Sequence, residues 1–526
     1  LHKRPLCYYC GSSLSKWYAG KNVFITGATG FMGKVLVEKL LRDCPDVNCL
    51  YLLIRPKKGV DPDTRKKEYL KSEAFKDLLE KNPSISDKVK VIKGDVLEED
   101  LGISENDRNE LISKINIVFH CAANVRFDQE LKGALEMNLG GTLRMMKLAE
   151  KMTNLKVFVH VSTTYCHCKE DILEERAYPA PNDPLAILQM VRTFDDKFLE
   201  KITPQLLNGL PNTYSYSKAL SEGLVNSYGN KLPLVICRPP IVTAALKEPI
   251  PGWVEGMTGP TGLVIGAARG VIRTMHCNPD YLADTMPVDL AINAIVVAAW
   301  DRAHKKTDEA DYFNVVLPSK SLMTWGESLE TGKRIFYENP LCFSLWYPDG
   351  SIKKNYYHHM ISLFFFHLLP AYFIDGLLFL LGQKRFMVRV QKKVSMGLKV
   401  LQYYTTKPWV FKNDRLEKLR IKLNMEDQDI FNFTMEMVNN EEYIYNYIMV
   451  VRKYILKEKD ETLPRARIIL RRLYIVDRIV KLVFWTLTFW LLWTNMEVIV
   501  NYAESLFGIT TKFFTSQGRF VLDRSG

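Results

Sequence analysis

A short turn with three glycines constrains this chain more than any other feature. The stretch FITGATGFMGKVLVEKLL begins at Phe24 with strand-like residues, and after Phe31 the apolar residues recur at helical spacing. Between the two segments, Gly27 permits a tight bend, Gly30 lets a phosphate approach the backbone, and Gly33 lets the helix pack against the sheet. The free N–H groups of the helix would face an anion, so the turn predicts a dinucleotide-binding site.

Strand-like and helix-like segments alternate through the first two-thirds of the chain. Apolar runs lie at 22–26 and 48–54, and four more follow with the sequences VKVI, INIVFHCAA, LKVFVHVS and PLVICRPP. Short, wholly apolar strands are typical of a parallel sheet that is covered on both faces. The pattern therefore predicts an α/β fold with a Rossmann-type, doubly wound parallel sheet.

The residues after the second and third strands bear on which dinucleotide the turn would bind. An acid after the second strand would accept a hydrogen bond from a ribose 2′-hydroxyl, but this chain has Arg55 there, followed by Lys57 and Lys58. A guanidinium suits a 2′-phosphate, which favours NADP(H) over NAD(H). Asp95 follows the third strand and is expected at the adenine edge, with a simple turn residue as the alternative interpretation.

A tyrosine and a lysine share one face of a helix in the segment NTYSYSKALSEGLV. Tyr214 and Lys218 are four residues apart, which places both side chains on the same side of the helix. An ammonium near the phenol would lower the phenol pKa and make it a suitable proton donor. Ser162 and Thr163 end a strand, and either hydroxyl could hydrogen-bond a carbonyl oxygen that gains charge, with Thr163 preferred. The alternatives are a chance surface pair and ordinary strand residues.

Charge and cysteine content narrow the possible partners. The net charge is +12, and the segment 384–420 contains eleven Lys and Arg against two acids. Basic stretches beside apolar runs favour a negatively charged membrane surface over nucleic acid, with two solvated helix faces as the alternative interpretation. The CxxC pair at 7–10 has no second pair, and the CHC tripeptide at 166–168 is too tightly spaced for a tetrahedral site. We therefore expect reduced cysteines and no metal.

The last third of the chain changes to helical patterns with two apolar runs. The run at 361–381 has no Lys or Arg but contains a histidine, a proline and an aspartate. An acid at membrane depth is costly, so a membrane span and a buried or interfacial hairpin both stay open. The run at 482–496, extended to about 479–500, contains three tryptophans and approaches the length of a span. We expect it to be a C-terminal hydrophobic anchor, with an in-plane or buried helix as the alternative.

Several of these motifs occur in an order that resembles the extended short-chain dehydrogenase/reductases. They are TGATGFMG, HCAANVRF, NLGGT, VSTTY, the Tyr214–Lys218 pair and CRPPIV. Longer runs are more specific, among them PGWVEGMTGPTGLVIGAARGVIRTMHCNPD and, far downstream, EEYIYNYIMVVRKYILKEKDETLPRAR. From about Trp17 to Trp493 the chain resembles the eukaryotic, insect-type fatty acyl-CoA reductases.

The resemblance implies a reaction, a location and a domain organisation. NADPH would reduce a long-chain fatty acyl-CoA through an aldehyde to a primary alcohol, with release of CoA and without a covalent cysteine. It implies an NADP-binding reductase domain at 17–346, a helical C-terminal domain at 347–460, and a basic linker, membrane segment and tail at 461–526. The catalytic domain would face the cytosol at the membrane of the endoplasmic reticulum or the peroxisome.

The site residues implied in this way are spread over the whole reductase domain. The expected catalytic residues are Tyr214, Lys218, Thr163 and Ser162, and by family analogy Asn138 would hold a helix bend and a water near Lys218. The expected cofactor contacts are Gly27, Thr29, Gly30, Phe31, Met32, Gly33, Arg55, Asp95, Val96, Ala122, Lys218, Arg238 and Pro239.

Two rival functions share part of this evidence. An extended reductase or epimerase on another carbonyl substrate would share the glycine turn and the Tyr/Lys pair, but it would not explain the apolar runs with basic flanks. A catalytically silent nucleotide-binding membrane protein would not need Tyr214, Lys218 and all three glycines intact.

Overall fold

A computed structural model describes residues 12–56, 60–257, 259–436, 438–496 and 498 of the chain. Lys57, Lys58, the CxxC pair at 7–10 and part of the expected anchor at 479–500 lie outside the described residues. In chain order, the strands are β1 Asn22–Thr26, β2 Cys49–Ile54, β3 Val89–Lys93, β4 Ile117–His120, β5 Val157–Val161, β6 Leu234–Arg238, β7 Ile241–Thr243, β8 Thr274–His276, β9 Thr285–Pro287, β10 Asp311–Asn314 and β11 Ser351–Lys353.

Seven of these strands form one sheet in the order β10-β6-β5-β4-β1-β2-β3. Every neighbouring pair in it is parallel. The chain reverses direction across the sheet between β1 and β4, and this reversal is the switch point at which ligands bind in open α/β sheets. Two small parallel pairs, β7 with β9 and β8 with β11, lie outside the main sheet.

The helices connect these strands and then continue as a mainly helical C-terminal part. They are α1 Ser13–Tyr18, α2 Phe31–Asp43, α3 Pro62–Leu70, α4 Lys76–Lys81, α5 Glu105–Lys114, α6 Leu131–Leu135, α7 Gly141–Ala149, α8 Pro184–Thr193, α9 Asp196–Leu207, α10 Thr213–Asn226, α11 Pro260–Ala268, α12 Val288–Ala303, α13 Trp325–Glu338, α14 Tyr356–Leu363, α15 Leu369–Leu380, α16 Met387–Thr405, α17 Asp414–Lys422, α18 Met425–Ile430, α19 Asn440–Val450 and α20 Leu463–Thr494.

Both faces of the sheet are covered, because successive side chains of a strand point to opposite sides. Val23 and Ile25 of β1 pack with α2 and α12 in one buried cluster. Phe24, between them, packs on the other face with Leu111 of α5 and Val225 of α10. The doubly wound, Rossmann-type sheet and the helical C-terminal part predicted from the sequence are therefore confirmed.

Two long apolar helices lie in the C-terminal part. A single π-helical turn joins α14 to α15, and the continuous helix Tyr356–Leu380 is, among the described residues, the one long and apolar enough to cross a membrane. In α20 the side chains buried against the body are Ala466, Leu470 and Asp477, all before the apolar run. The expected anchor at 479–500 is described only as far as residue 498, with gaps, and stays a prediction.

Candidate active site at the carboxyl edge of the sheet

The glycine turn between β1 and α2 leaves no room for side chains. Gly27 has φ +72°, and a Cβ there would lie 2.8 Å from the backbone nitrogen of Ala122. A Cβ on Gly33 would overlap the carbonyl oxygen of Gly27. Gly30 is the exposed N-cap of α2 and makes no side-chain cap, so the first N–H groups of that helix face outward. This cradle fits the pyrophosphate of a dinucleotide.

The other expected contacts follow the ends of neighbouring parallel strands. Asp95 follows β3, Arg55 follows β2, Ala122 follows β4, and Ser162 follows β5. Since all these strands are parallel, their carboxyl ends meet at one edge of the sheet. The order of the strands therefore sets these residues in a row on both sides of the glycine turn. Thr29 is exposed in the turn, and Phe31 and Met32 are half-buried at the start of α2.

A pocket of about 330 Å³ lies beyond the ends of β2 and β3. Arg55 and Asp95 both line it, together with Pro56, Gly94, Glu98 and Gly102. Arg55 is exposed, so its guanidinium is free to meet an anion. One carboxylate oxygen of Asp95 accepts a hydrogen bond from the backbone N–H of Leu97 at 3.1 Å. Asp95 therefore does act as a turn residue, and it lines the pocket as well.

The backbone carbonyl groups of Val96 and Pro239 accept hydrogen bonds from nearby residues. The Val96 carbonyl accepts from Arg144 at 3.1 Å, and its side chain is buried under α7. The Pro239 carbonyl accepts from the N–H of Thr164 at 3.0 Å, next to the end of β5. Both residues lie at the expected edge of the sheet.

Helix α10 brings Tyr214 and Lys218 to the same edge, beneath the end of β5. Asn212 caps the helix by accepting from the N–H of Ser215 at 3.0 Å. Tyr214 is 9% exposed, and its ring packs edge-on to Phe127 with a centroid distance of 5.4 Å. The Lys218 ammonium is buried and donates to the carbonyl of Val161, the last residue of β5, at 2.7 Å.

The electrostatics of this pair differ from the expectation that Lys218 lowers the pKa of Tyr214. Burial raises the pKa of Tyr214, and the opposing influence is a side-chain hydrogen bond with Thr163. The Lys218 ammonium is directed at a carbonyl group instead, and burial lowers its own pKa to about 8. The phenol thus stays protonated at neutral pH, and the lysine has a pKa close to neutrality.

Ser162 and Thr163 differ in what their hydroxyls contact. Thr163 interacts with Tyr214, and its Oγ1 accepts from the N–H of Tyr165 at 3.3 Å. The Ser162 Oγ is buried and has no hydrogen-bond partner among the described residues, and neither does the Oγ1 of Thr164. A buried hydroxyl without a partner costs free energy unless a bound group satisfies it. These two atoms fit a bound cofactor or substrate at the end of β5.

A π-helical turn at Glu136–Gly140 supports α10 from the side. Asn138 lies in it and donates to the Oγ of Ser217 at 2.8 Å, and Ser217 donates to the carbonyl of Tyr214 at 2.9 Å. The Asn138 carbonyl also accepts from Ser221 at 3.0 Å. The helix bend expected at Asn138 is present, and it positions the backbone of Tyr214.

Arg238 differs from its expected role as a cofactor contact. Its guanidinium is fully buried, and it donates from Nε and Nη2 to the carboxylate of Glu222 at 3.0 and 2.7 Å. Its remaining hydrogen bonds go to the carbonyls of Glu174 and Arg176. Because each guanidinium nitrogen already donates to a protein acceptor, these contacts favour a structural role for the Arg238 side chain over a cofactor contact.

Glu222 was not singled out from the sequence. It lies four residues after Lys218 and eight after Tyr214, on the same face of α10, and this spacing is the signal that could have identified it. Besides Arg238, it accepts from the Sγ of Cys166 at 3.1 Å and is 3.1 Å from the Nε2 of His167. Through these three contacts, Glu222 connects α10 to β6 and to the turn after β5.

The cluster of Cys166, His167 and Glu222 has ligand atoms close enough together for a metal ion. The Glu222 carboxylate already forms a buried ion pair with Arg238, at 2.7 Å. A cation in the same place would face that guanidinium, so the geometry favours the ion pair over a metal.

Two family descriptions cover most of the chain. Residues 25–295 match the NAD-binding family described as Male sterility protein, and residues 366–458 match a second family with the same description. The first match contains the glycine turn, the Tyr214–Lys218 pair and the end of β5.

The chain is similar to several characterised relatives over most of its length. It is 38% identical to Fatty acyl-CoA reductase 1 of Mus musculus over 457 residues, which covers 86% of this chain and 88% of that protein. It is 33% identical to Fatty acyl-CoA reductase wat of Drosophila melanogaster, covering 93% of this chain and 94% of that one. Its fold is similar to the reductase domain of a nonribosomal peptide synthetase from Mycobacterium tuberculosis, with TM-score 0.56, 20% identity, and coverage of 85% and 96%.

Proposed function

The chain belongs to the fatty acyl-CoA reductase family, and from this premise we propose that it reduces long-chain fatty acyl-CoA to a primary alcohol with NADPH. It is an oxidoreductase with a nicotinamide-nucleotide-binding domain. One observation carries the proposal. Tyr214 and Lys218 lie at the end of β5, on the same sheet edge as the glycine cradle, beside the hydroxyls of Ser162 and Thr164, which have no hydrogen-bond partner in the described part of the chain.

The cofactor would lie across the carboxyl edge of the sheet. The turn from Gly27 to Gly33 would hold its pyrophosphate, and Arg55 would hold a 2′-phosphate beside Asp95. The Lys218 ammonium would hold the hydroxyls of the nicotinamide ribose. When bound there, the reduced nicotinamide supplies a hydride to the carbonyl carbon of the substrate.

Tyr214 would supply the proton. Its raised pKa keeps the phenol protonated, so its Oη can donate to the substrate oxygen as that oxygen gains charge. Thr163, the hydroxyl that interacts with Tyr214, would hydrogen-bond the same oxygen and fix its position. CoA then leaves as a thiol and the aldehyde remains. A second NADPH would supply a second hydride, and Tyr214, reprotonated from solvent, would donate a second proton to give the alcohol.

The test is a comparison of two tyrosines on one helix. The full chain in detergent is incubated with palmitoyl-CoA and NADPH, and the alcohol is measured by gas chromatography. We expect Tyr214→Phe to reduce alcohol formation at least about 100-fold. Tyr216→Phe is the matched control, because the Tyr216 hydroxyl bonds Asn182 at 2.8 Å and has no part in the reaction. Alcohol formation that survives in Tyr214→Phe would refute the proposed acid.

The preference for NADPH rests on Arg55. We expect Arg55→Glu to raise the KM for NADPH at least about tenfold and to leave the KM for NADH nearly unchanged, because the lost contact is to the 2′-phosphate. Lys147→Glu, at an exposed lysine on α7, makes the same change in net charge and is the matched control. Equal effects on both cofactors would assign Arg55 no part in this selectivity.

We further propose that the protein works at a membrane, with its catalytic domain in the cytosol. The support is the exposed apolar surface of the C-terminal helices together with the adjacent basic segments. Endoplasmic reticulum and peroxisome are the two locations that fractionation of expressing cells would separate.

A further inference from the structure

The helix Tyr356–Leu380 has its polarity reversed relative to a helix of a water-soluble protein. The side chains that it buries against the body include His359, Ser362, His367 and Asp375. Those that it exposes are large and apolar: Tyr357, Met360, Ile361, Phe364, Phe365, Phe366, Leu369, Tyr372, Phe373, Leu377, Phe379 and Leu380. A contiguous apolar face of this size marks a contact with an apolar partner.

Three of the buried polar side chains on this helix, His359, His367 and Asp375, form hydrogen bonds with other parts of the protein. The Nε2 of His367 accepts from the N–H groups of Arg273 and Thr274 at 2.9 and 3.2 Å. The Asp375 carboxylate accepts from three N–H groups at the start of α16, those of residues 386–388. The aspartate that made a membrane segment costly in the sequence is therefore a helix cap that faces protein.

Both ends and the middle of the helix are fixed to the same folded body. Its N-terminus follows β11, which pairs with β8, and Asn355 caps it. Its C-terminus runs through Asp375 into α16, which returns to the body, where Thr405 donates to the carbonyl of His276 at 3.1 Å. These attachments favour a position in which both ends of the helix lie on the same side of a bilayer.

The apolar face continues onto α20. The rings of Phe365 and Phe484 are 5.7 Å apart. Arg273 joins both helices, since its guanidinium bonds Asp477 of α20 at 3.2 Å and lies 5.1 Å from the ring of Phe366. Beyond Asp477, α20 exposes large apolar side chains, among them Trp493. The two helices thus form one surface.

The segment that follows the helix is strongly basic. Lys384, Arg385, Arg389, Lys392 and Lys393 are all exposed within about three turns of its C-terminus. Cations beside an apolar face complement the phosphate groups of anionic lipids. This charge distribution identifies the partner as an anionic phospholipid bilayer.

We propose that Tyr356–Leu380 lies flat in the interface of an anionic bilayer, as a second membrane contact beside the C-terminal segment. Its apolar face enters the acyl-chain region, and its histidines and Asp375 stay bonded to the body. This inference rests on the membrane part of the proposed function and not on the reaction.

The test uses the full chain in sealed vesicles of phosphatidylcholine and phosphatidylserine, with a photoreactive group on some acyl chains. Mass spectrometry then maps the cross-linked peptides. We expect cross-links within 356–380, and at least about a fivefold loss of them in the variant F373E/L380E, because charges are expelled from the acyl region. The matched control I421E/M425E replaces two exposed apolar residues on α17 and α18 and should leave these cross-links unchanged.

A membrane-impermeant amine reagent distinguishes a flat helix from a crossing one. Lys354 and Lys384 flank the helix, so a flat helix gives both lysines equal modification, whereas a crossing helix gives complementary fractions. Complementary modification, or lipid cross-links confined to 479–500, would overturn the inference. Absence of lipid cross-links from both segments would overturn the membrane proposal as well. Alcohol formation, measured separately, reports on the reaction alone.

Discussion

The contribution of the buried ion pair between Glu222 and Arg238 to the stability of the fold around α10 can be tested by removing one charge. Glu222→Gln keeps the size and one acceptor oxygen of the side chain but removes its charge. Arg238 is 0% exposed, so its guanidinium would keep a full charge without a counter-charge in contact. Breaking a buried pair from one side costs about 3–5 kcal/mol. At about 2 °C per kcal/mol for a domain of this size, we expect the thermal midpoint to fall by roughly 6–10 °C.

The assay is thermal unfolding followed by near-ultraviolet circular dichroism, with two comparison variants. Glu150→Gln breaks an exposed ion pair of 2.7 Å with Lys231 and should change the midpoint by less than about 2 °C. The double variant E222M/R238M removes both charges and should recover most of the loss. A midpoint for Glu222→Gln equal to that of Glu150→Gln would refute the reasoning.

The same pair decides the role of Arg238. If it is structural, Arg238→Met lowers the thermal midpoint but leaves the KM for NADPH unchanged in the folded protein. A KM raised tenfold or more, with an unchanged midpoint, would restore the cofactor role expected from the sequence.

Three further predictions concern the active site. Because burial lowers the pKa of Lys218 to about 8, kcat/KM should fall as pH rises through about 8 and the ammonium is lost; Lys218→Arg should move this limb of the pH–rate profile above pH 10. Gly33→Ala should weaken NADPH binding at least about tenfold in a fluorescence titration, because its Cβ overlaps a carbonyl oxygen, whereas Gly332→Ala, in open space, should be neutral. Thr163→Val should lower kcat at least about tenfold more than Ser162→Ala in the alcohol assay; the reverse order would reassign the hydroxyl that holds the substrate.

The features that could be predicted from the sequence are local ones. The glycine turn needs only a strand, a positive φ and a helix start, all within twelve residues of chain. Tyr214 and Lys218 come together because four residues make about one helical turn. In both cases the spacing of the residues along the chain determines the local geometry. The turn and the shared helix face in the structure therefore agree with the sequence pattern.

The features that could not be predicted depend on partners distant in the chain. Arg238 was expected near the cofactor by analogy with the family, but its side chain bonds Glu222, which the fold brings beside it. In the sequence, Asp375 made a membrane helix unfavourable. In the structure, its carboxylate accepts hydrogen bonds from N–H groups at the start of α16. A hydropathy profile assigns such a residue an unfavourable free energy of membrane insertion. Only the structure shows that Asp375 lies on the side of the helix that faces protein.

Helix α16 lies between the proposed membrane face and the proposed active site. Its first turn is capped by Asp375, and near its other end the Tyr404 hydroxyl accepts from Asn212 at 2.8 Å at the start of α10. The Tyr404 ring stacks on Phe127 at 5.4 Å, and Phe127 packs on Tyr214. With 19 residues, α16 spans about 28 Å. The Tyr404 end of α16 therefore forms part of one wall of the proposed catalytic site, while its other end borders the face that we propose to contact lipid.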